Sequence, residues 1–136
     1  MKKIIFFLSL ALFVFINTSC YDRDIIDGKD GISLPPVTNL QAGILANNKV
    51  TLTWDLPSNI PNGIKRPMSV YIQVYKGTVI ESLTTVNNEP TSYEVDIRDP
   101  DEAKYRVVVK ILGSLEEVEY GKSGTIYSLG QTVAVN

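Results

Sequence analysis

Val50-Thr51-Leu52-Thr53-Trp54-Asp55-Leu56-Pro57 places an apolar residue at every second position and ends on a proline. Val50, Leu52 and Trp54 alternate with Thr51, Thr53 and Asp55, so a strand through them turns one face to a core and the other to water. Pro57 stops it, because proline has no N–H to give to a sheet ladder. The same period of two recurs downstream. Val70, Ile72 and Val74 alternate with Tyr71, Gln73 and Tyr75; Tyr93, Val95 and Ile97 with Glu94 and Asp96; and Tyr105, Val107, Val109 and Ile111 with Arg106, Val108 and Lys110. After Pro36 no apolar set recurs at helical spacing, and turn formers break the chain into short runs. An all-β domain of antiparallel strands follows.

Pro36-Val37-Thr38-Asn39-Leu40, followed by the Val50–Pro57 stretch, resembles the first two strands of a fibronectin type III domain. Tyr105, opening Tyr105-Arg106-Val107-Val108-Val109-Lys110, is similar to the start of that family's F strand, and the likeness covers about Leu34 to Gly130. The resemblance implies an antiparallel β-sandwich of about seven strands over residues 37–136. It puts Trp54 and Tyr105 in the core, with the Tyr105 hydroxyl bonding backbone in a tyrosine corner. In that strand order the B–C loop (Leu56 to Ser69) and the F–G loop (Gly113 to Lys122) share the pole where the chain enters. Lys65 and Arg66 on the first are expected to neutralise Glu116, Glu117 and Glu119 on the second through solvent-exposed pairs.

Ahead of the domain the composition changes. Lys2 and Lys3 precede an apolar run from Ile4 to Ile16, which is signal-peptide length and short of the roughly twenty residues a membrane-spanning helix needs. Asn17-Thr18-Ser19-Cys20 resembles the lipobox of bacterial lipoproteins, with Asn17 standing where an aliphatic residue is usual. The resemblance implies cleavage after residue 19, lipidation of Cys20 and anchoring by acyl chains, each buried methylene contributing about 0.8 kcal/mol. Tyr21 is not the aspartate that retains some lipoproteins at the inner membrane, so the outer membrane of the cell envelope is expected, with the domain on either its surface-exposed or its periplasmic face.

Residues 20–36 are charged, contain glycine and close on Pro35-Pro36, which reads as a flexible acidic tether. Asp22, Asp24, Asp27 and Gly28 approach a calcium-loop pattern, but the third acid is one residue late and no bidentate Glu follows in place. No metal is expected.

Removing Lys2 and Lys3 leaves 11 of the 13 basic residues against 15 acidic ones, a net charge of −4 that disfavours nucleic acid. The chain has no His, and its one Cys is Cys20. Ser-His and Cys-His nucleophile pairs are therefore excluded, as are His or Cys zinc sets within the domain. Gly121-Lys122-Ser123 has Glu116 where a P-loop needs its first glycine, and it lies between strands. No enzyme activity and no cofactor are expected, although paired carboxylates leave a hydrolase as the remotest alternative.

The candidate binding face is the outward-alternating side of three neighbouring strands, the one through Val70–Tyr75, the one opened by Tyr105 and the one through Tyr127: Tyr71 and Tyr75, Val108, and Tyr127, with Leu112 beside them. An exposed aromatic strip of this kind suits a protein contact or stacking on sugar rings, and it is also what ordinary cross-strand pairing produces. Two functional readings follow. One is a lipid-anchored protein-interaction module docking to an envelope or extracellular protein. The other is a glycan-binding accessory of a nutrient-capture system.

Overall fold

The computed structural model describes residues 32–44, 46–99, 104–118 and 120–135. The expected signal peptide, Cys20, the aspartates of the acidic segment and Glu119 lie outside the described residues. The chain from Ile32 onward forms one compact unit. Its strands are β1 (Thr38–Ala42), β2 (Lys49–Asp55), β3 (Ser69–Lys76), β4 (Val79–Val86), β5 (Ser92–Asp96), β6 (Tyr105–Ser114), β7 (Thr125–Tyr127) and β8 (Gln131–Val135).

Two antiparallel sheets pack face to face. One has the order β1-β2-β5; in the other, β4-β3-β6 is completed by β7 and β8, both paired to the far side of β6. This is the order expected of a fibronectin type III-like sandwich, and the domain is all-β. Among the described residues eight strands appear where about seven were expected, because the last one is interrupted at Ser128-Leu129-Gly130. There Ser128 substitutes for a strand residue. Its backbone N–H donates to the Ile111 carbonyl at 2.9 Å, while its hydroxyl accepts from the Ile111 N–H at 2.8 Å. Gly130 then runs close to β6, where a Cβ would stand 2.6 Å from Val108 Cγ1.

The core is drawn from the inward sets read in the sequence. Val50, Leu52 and Trp54 of β2 face Val70, Ile72 and Val74 of β3 and Val107, Val109 and Ile111 of β6, all nearly inaccessible. Val95 and Ile97 close one side and Tyr105 one end. The Tyr105 ring is buried, and its hydroxyl accepts from the Asp99 N–H at 3.4 Å and donates to Glu81 Oε1 at 3.5 Å. The corner is present but long, beyond the usual hydrogen-bond range.

Strand β4, Val79-Ile-Glu-Ser-Leu-Thr-Thr-Val86, carries no clean alternation, and none of its residues is buried. It lies at a sheet edge, where of its residues Val86 packs against the core, so neither face is selected to be apolar along its length.

The entry pole departs from expectation in two respects. The tether was expected to run to Pro36, yet Leu34 is already 3 % exposed and packs so closely on Gly113 that a Cβ there would stand 2.7 Å from its Cδ1. An apolar side chain immediately before the prolines had a core to enter. The B–C and F–G loops do meet at this pole, but through backbone: the Lys65 N–H donates to the Ser114 carbonyl and the Glu116 N–H to the Gly63 carbonyl, both at 2.8 Å. Arg66 turns from the F–G glutamates to Glu89, between β4 and β5, and grips it with two bonds of 2.8 and 2.7 Å. A forked guanidinium and a carboxylate form that pair readily once the strands bring them together.

Candidate functional site

The outer face of the five-stranded sheet is set by register. On β3, Tyr71 lies between Thr85 of β4 and Lys110 of β6, Gln73 between Leu83 and Val108, and Tyr75 between Ile80 and Arg106. Opposed residues share a face, so these rows stand together on the side away from the core. Leu112 opposes Tyr127 of β7, which brings that ring diagonally across β6 to Tyr71.

The two tyrosines grouped by the sequence are held in different ways. Tyr71 meets Tyr127 edge-to-face, with ring centroids 5.7 Å apart and planes at 65°. That geometry places the positive ring edge on the negative face and contributes about 0.5–1.5 kcal/mol. Tyr75 instead carries the Arg106 guanidinium 4.1 Å above its ring, a cation–π contact that occupies one face of it. Both tyrosines are half-buried, whereas Tyr127 is 53 % exposed.

Val108 was expected to contribute to an exposed patch. It stands on the right face but is only 8 % exposed. It lies mid-sheet between Gln73 and Thr132, with the Gly130 backbone against it, so its neighbours cover it.

The exposed apolar residues of this side are ones the alternation did not single out. Leu83 (53 % exposed) and Ile80 (44 %) come from β4. Short polar neighbours and the absence of an inward set hid both. The open part of the face is therefore the Tyr71–Tyr127 pair with Leu83 to one side.

Where the edges of the two sheets stand apart, between β4 and β5, a cleft of about 170 Å³ is lined by side chains including Glu81, Tyr93, Glu94, Asp96 and Arg98. Lys49 holds Glu94 at 2.7 Å and reaches Asp96 at 3.9 Å. The Lys49–Glu94 hydrogen bond, together with the two negative charges, raises the affinity of Lys49 for its proton. At the entry pole Glu89 is shifted the other way. The Arg66 hydrogen bonds and the Met68 N–H, which donates to Oε1 at 3.1 Å, hold its carboxyl below the usual glutamate range.

Comparison with known proteins adds a structural neighbour and a family. The chain is similar to the solution structure of the fibronectin type-III domain of human fibronectin type III domain containing protein 3, at 20% identity and a TM-score of 0.41, over 81% of this chain and 91% of that one. No curated protein matches it. A family model, described as a domain of unknown function (DUF4945), matches residues 20–135, and the chain belongs to that family.

Proposed function

We propose that this protein is a lipid-anchored envelope protein whose sandwich acts as a non-catalytic protein-interaction module. The observation that carries the reading is the open strip on the outer face, where the Tyr71–Tyr127 pair stands beside exposed Leu83. Apolar and aromatic side chains on a rigid sheet lose little conformational entropy when covered, which suits them to a protein contact. The anchoring half rests on Lys2, Lys3, the apolar run and Cys20, with which the family match begins. Placement at the outer membrane rests on Tyr21 following that cysteine.

Affinity capture from solubilised cell envelope with the full chain tests the module. A protein that is captured by the wild type and lost when Tyr71 and Tyr127 are both changed to Ser supports it. Capture that survives in the folded double variant refutes this face as the contact. The glycan-binding alternative keeps the same face, since tyrosine rings also stack on sugars, and would show as capture of carbohydrate without a protein band.

A further inference from the structure

We propose that β4 pairs with β4 of a second copy of this chain, joining two five-stranded sheets edge to edge across a two-fold axis at Thr84. This goes beyond the reading of the outer face and does not depend on what that face binds. A strand at a sheet edge presents unpaired N–H and C=O groups, and proteins that must stay apart obstruct such edges with bulges, charges or short strands.

Among the described residues the sandwich has four edges, and three are obstructed. β1 has five residues, its register slips between Thr38 and Gln41, and Asn39 lies there at φ 51°. β5 also has five residues, with Glu94 and Asp96 charged and Glu94 gripped by Lys49. The β7–β8 edge is interrupted at Ser128–Gly130, and β8 lies against β1 along that side. β4 is different. Its bulge and its one charge coincide at Glu81, so that of its eight residues Ser82–Val86 form a regular, uncharged run, and Val79, Ile80 and Leu83 are exposed at 67, 44 and 53 %.

The register of a self-pairing is limited by what β4 already does. Its ladder to β3 shifts between Val74 and Tyr75, which leaves Glu81 as the extra residue and Ser82–Val86 as the regular run. Opposed residues must share a face, so a pairing that uses the whole run centres on Thr84. It sets Ser82 against Val86, Leu83 against Thr85, and Thr84 against itself. The two Leu83 side chains become diagonal neighbours on the outer face, close enough to touch. Each Glu81 falls opposite Asn87 of the other copy, and the two carboxylates lie roughly 20 Å apart along the strand, beyond the screening length at physiological salt. No like charges are opposed. An isologous contact of this kind closes at two copies. A five-residue pairing buries less than a standard interface, so the dimer is weak and concentration-dependent.

Disulfide trapping suits a weak dimer. At the two-fold the two Thr84 Cα atoms come within about 4.5–5.5 Å, inside the range a disulfide spans. The full chain carrying Thr84→Cys, purified in detergent and mildly oxidised, is compared with the wild type, which reports any contribution of Cys20, and with Thr51→Cys on the exposed face of β2. Thr84→Cys is expected to form covalent homodimer at least about tenfold faster than either control. Leu83→Lys or Thr85→Lys in the same chain, each checked for fold by circular dichroism, should return the rate to the control level. Equal rates for Thr84→Cys and Thr51→Cys, or indifference to a folded lysine variant, would overturn the proposal. So would a disulfide formed chiefly to a different protein.

Discussion

The indole N–H of Trp54 donates to the carbonyl oxygen of Pro90 at 2.8 Å, while the Trp54 backbone N–H donates to the Thr91 carbonyl at 3.0 Å. One residue thus fills the centre of the sandwich and also fastens the segment that leads into β5. Trp54→Ala is expected to lose roughly 3–5 kcal/mol, most of the margin of a small domain. Trp54→Phe keeps much of the volume but strands the Pro90 carbonyl, and should lose about 1–3 kcal/mol. Denaturant unfolding of both variants checks the order, and a Phe variant as unstable as the Ala variant would mean that the hydrogen bond, not volume, decides.

Ser128→Ala removes the acceptor that the Ile111 N–H uses in place of a strand carbonyl. A buried donor left unpaired costs about 1–3 kcal/mol. Ser128→Thr, which keeps a hydroxyl, should recover most of that loss, and urea midpoints of the two variants measure the difference.

Glu89 makes a pH dependence with a definite sign. Its carboxyl is held below the usual glutamate range in the folded protein by the Arg66 hydrogen bonds and the Met68 N–H. Stability from this group is therefore fully present above the unfolded value and is lost as pH falls through the lowered folded one. Glu89→Gln cannot titrate. The stability difference between wild type and Glu89→Gln, followed by chemical unfolding from neutral pH into acid, should shrink below the usual glutamate range. A difference that stays constant over that interval would show that the pair does not survive in solution.

On the outer face, Tyr71→Ser with Tyr75→Ser removes the ring pair to Tyr127 and the stacked contact to Arg106. The fold should lose about 1–2.5 kcal/mol and persist, since the two contacts together contribute no more than that. Capture of the envelope partner should fall sharply. Because Arg106 covers one face of Tyr75, Tyr71→Ser by itself should account for most of the lost capture and Tyr75→Ser for little; equal losses would widen the contact to the Ile80 row.

Cys20→Ser should move the protein out of the detergent phase in a phase-partition assay, leaving it uncleaved or soluble. Unchanged partitioning would end the lipoprotein reading.

The core was legible because burial on one face imposes a period of two, and β2, β3 and β6 each write that period in Val, Leu, Ile and Trp. The edges were not. β4 has no buried side to constrain it, so its sequence carries no periodic signal although its exposed Leu83 and Ile80 matter to the surface. Charge pairing was legible as composition but not as partnership: Arg66 selected Glu89, 23 residues away, over the nearer-looking acids of the F–G loop. Placing Tyr71 and Tyr75 outward followed from alternation, while the burial of Val108 depends on what lies above it, which local sequence does not encode.

The packing of Leu34 on Gly113 and the pairing of Val135 with Tyr105 fix the two ends of the sandwich at opposite ends of β6. Eight residue steps along that strand separate them by about 27 Å. A pull applied between the entering and leaving chain therefore runs along the strands. It loads the ladder bonds of the terminal strands together, in shear, instead of peeling them one at a time. Rupture in that direction requires many bonds to fail at once, so the domain should resist stretching far better than a sandwich pulled across its strands, and its lifetime under load is set by the unfolding rate rather than by equilibrium stability.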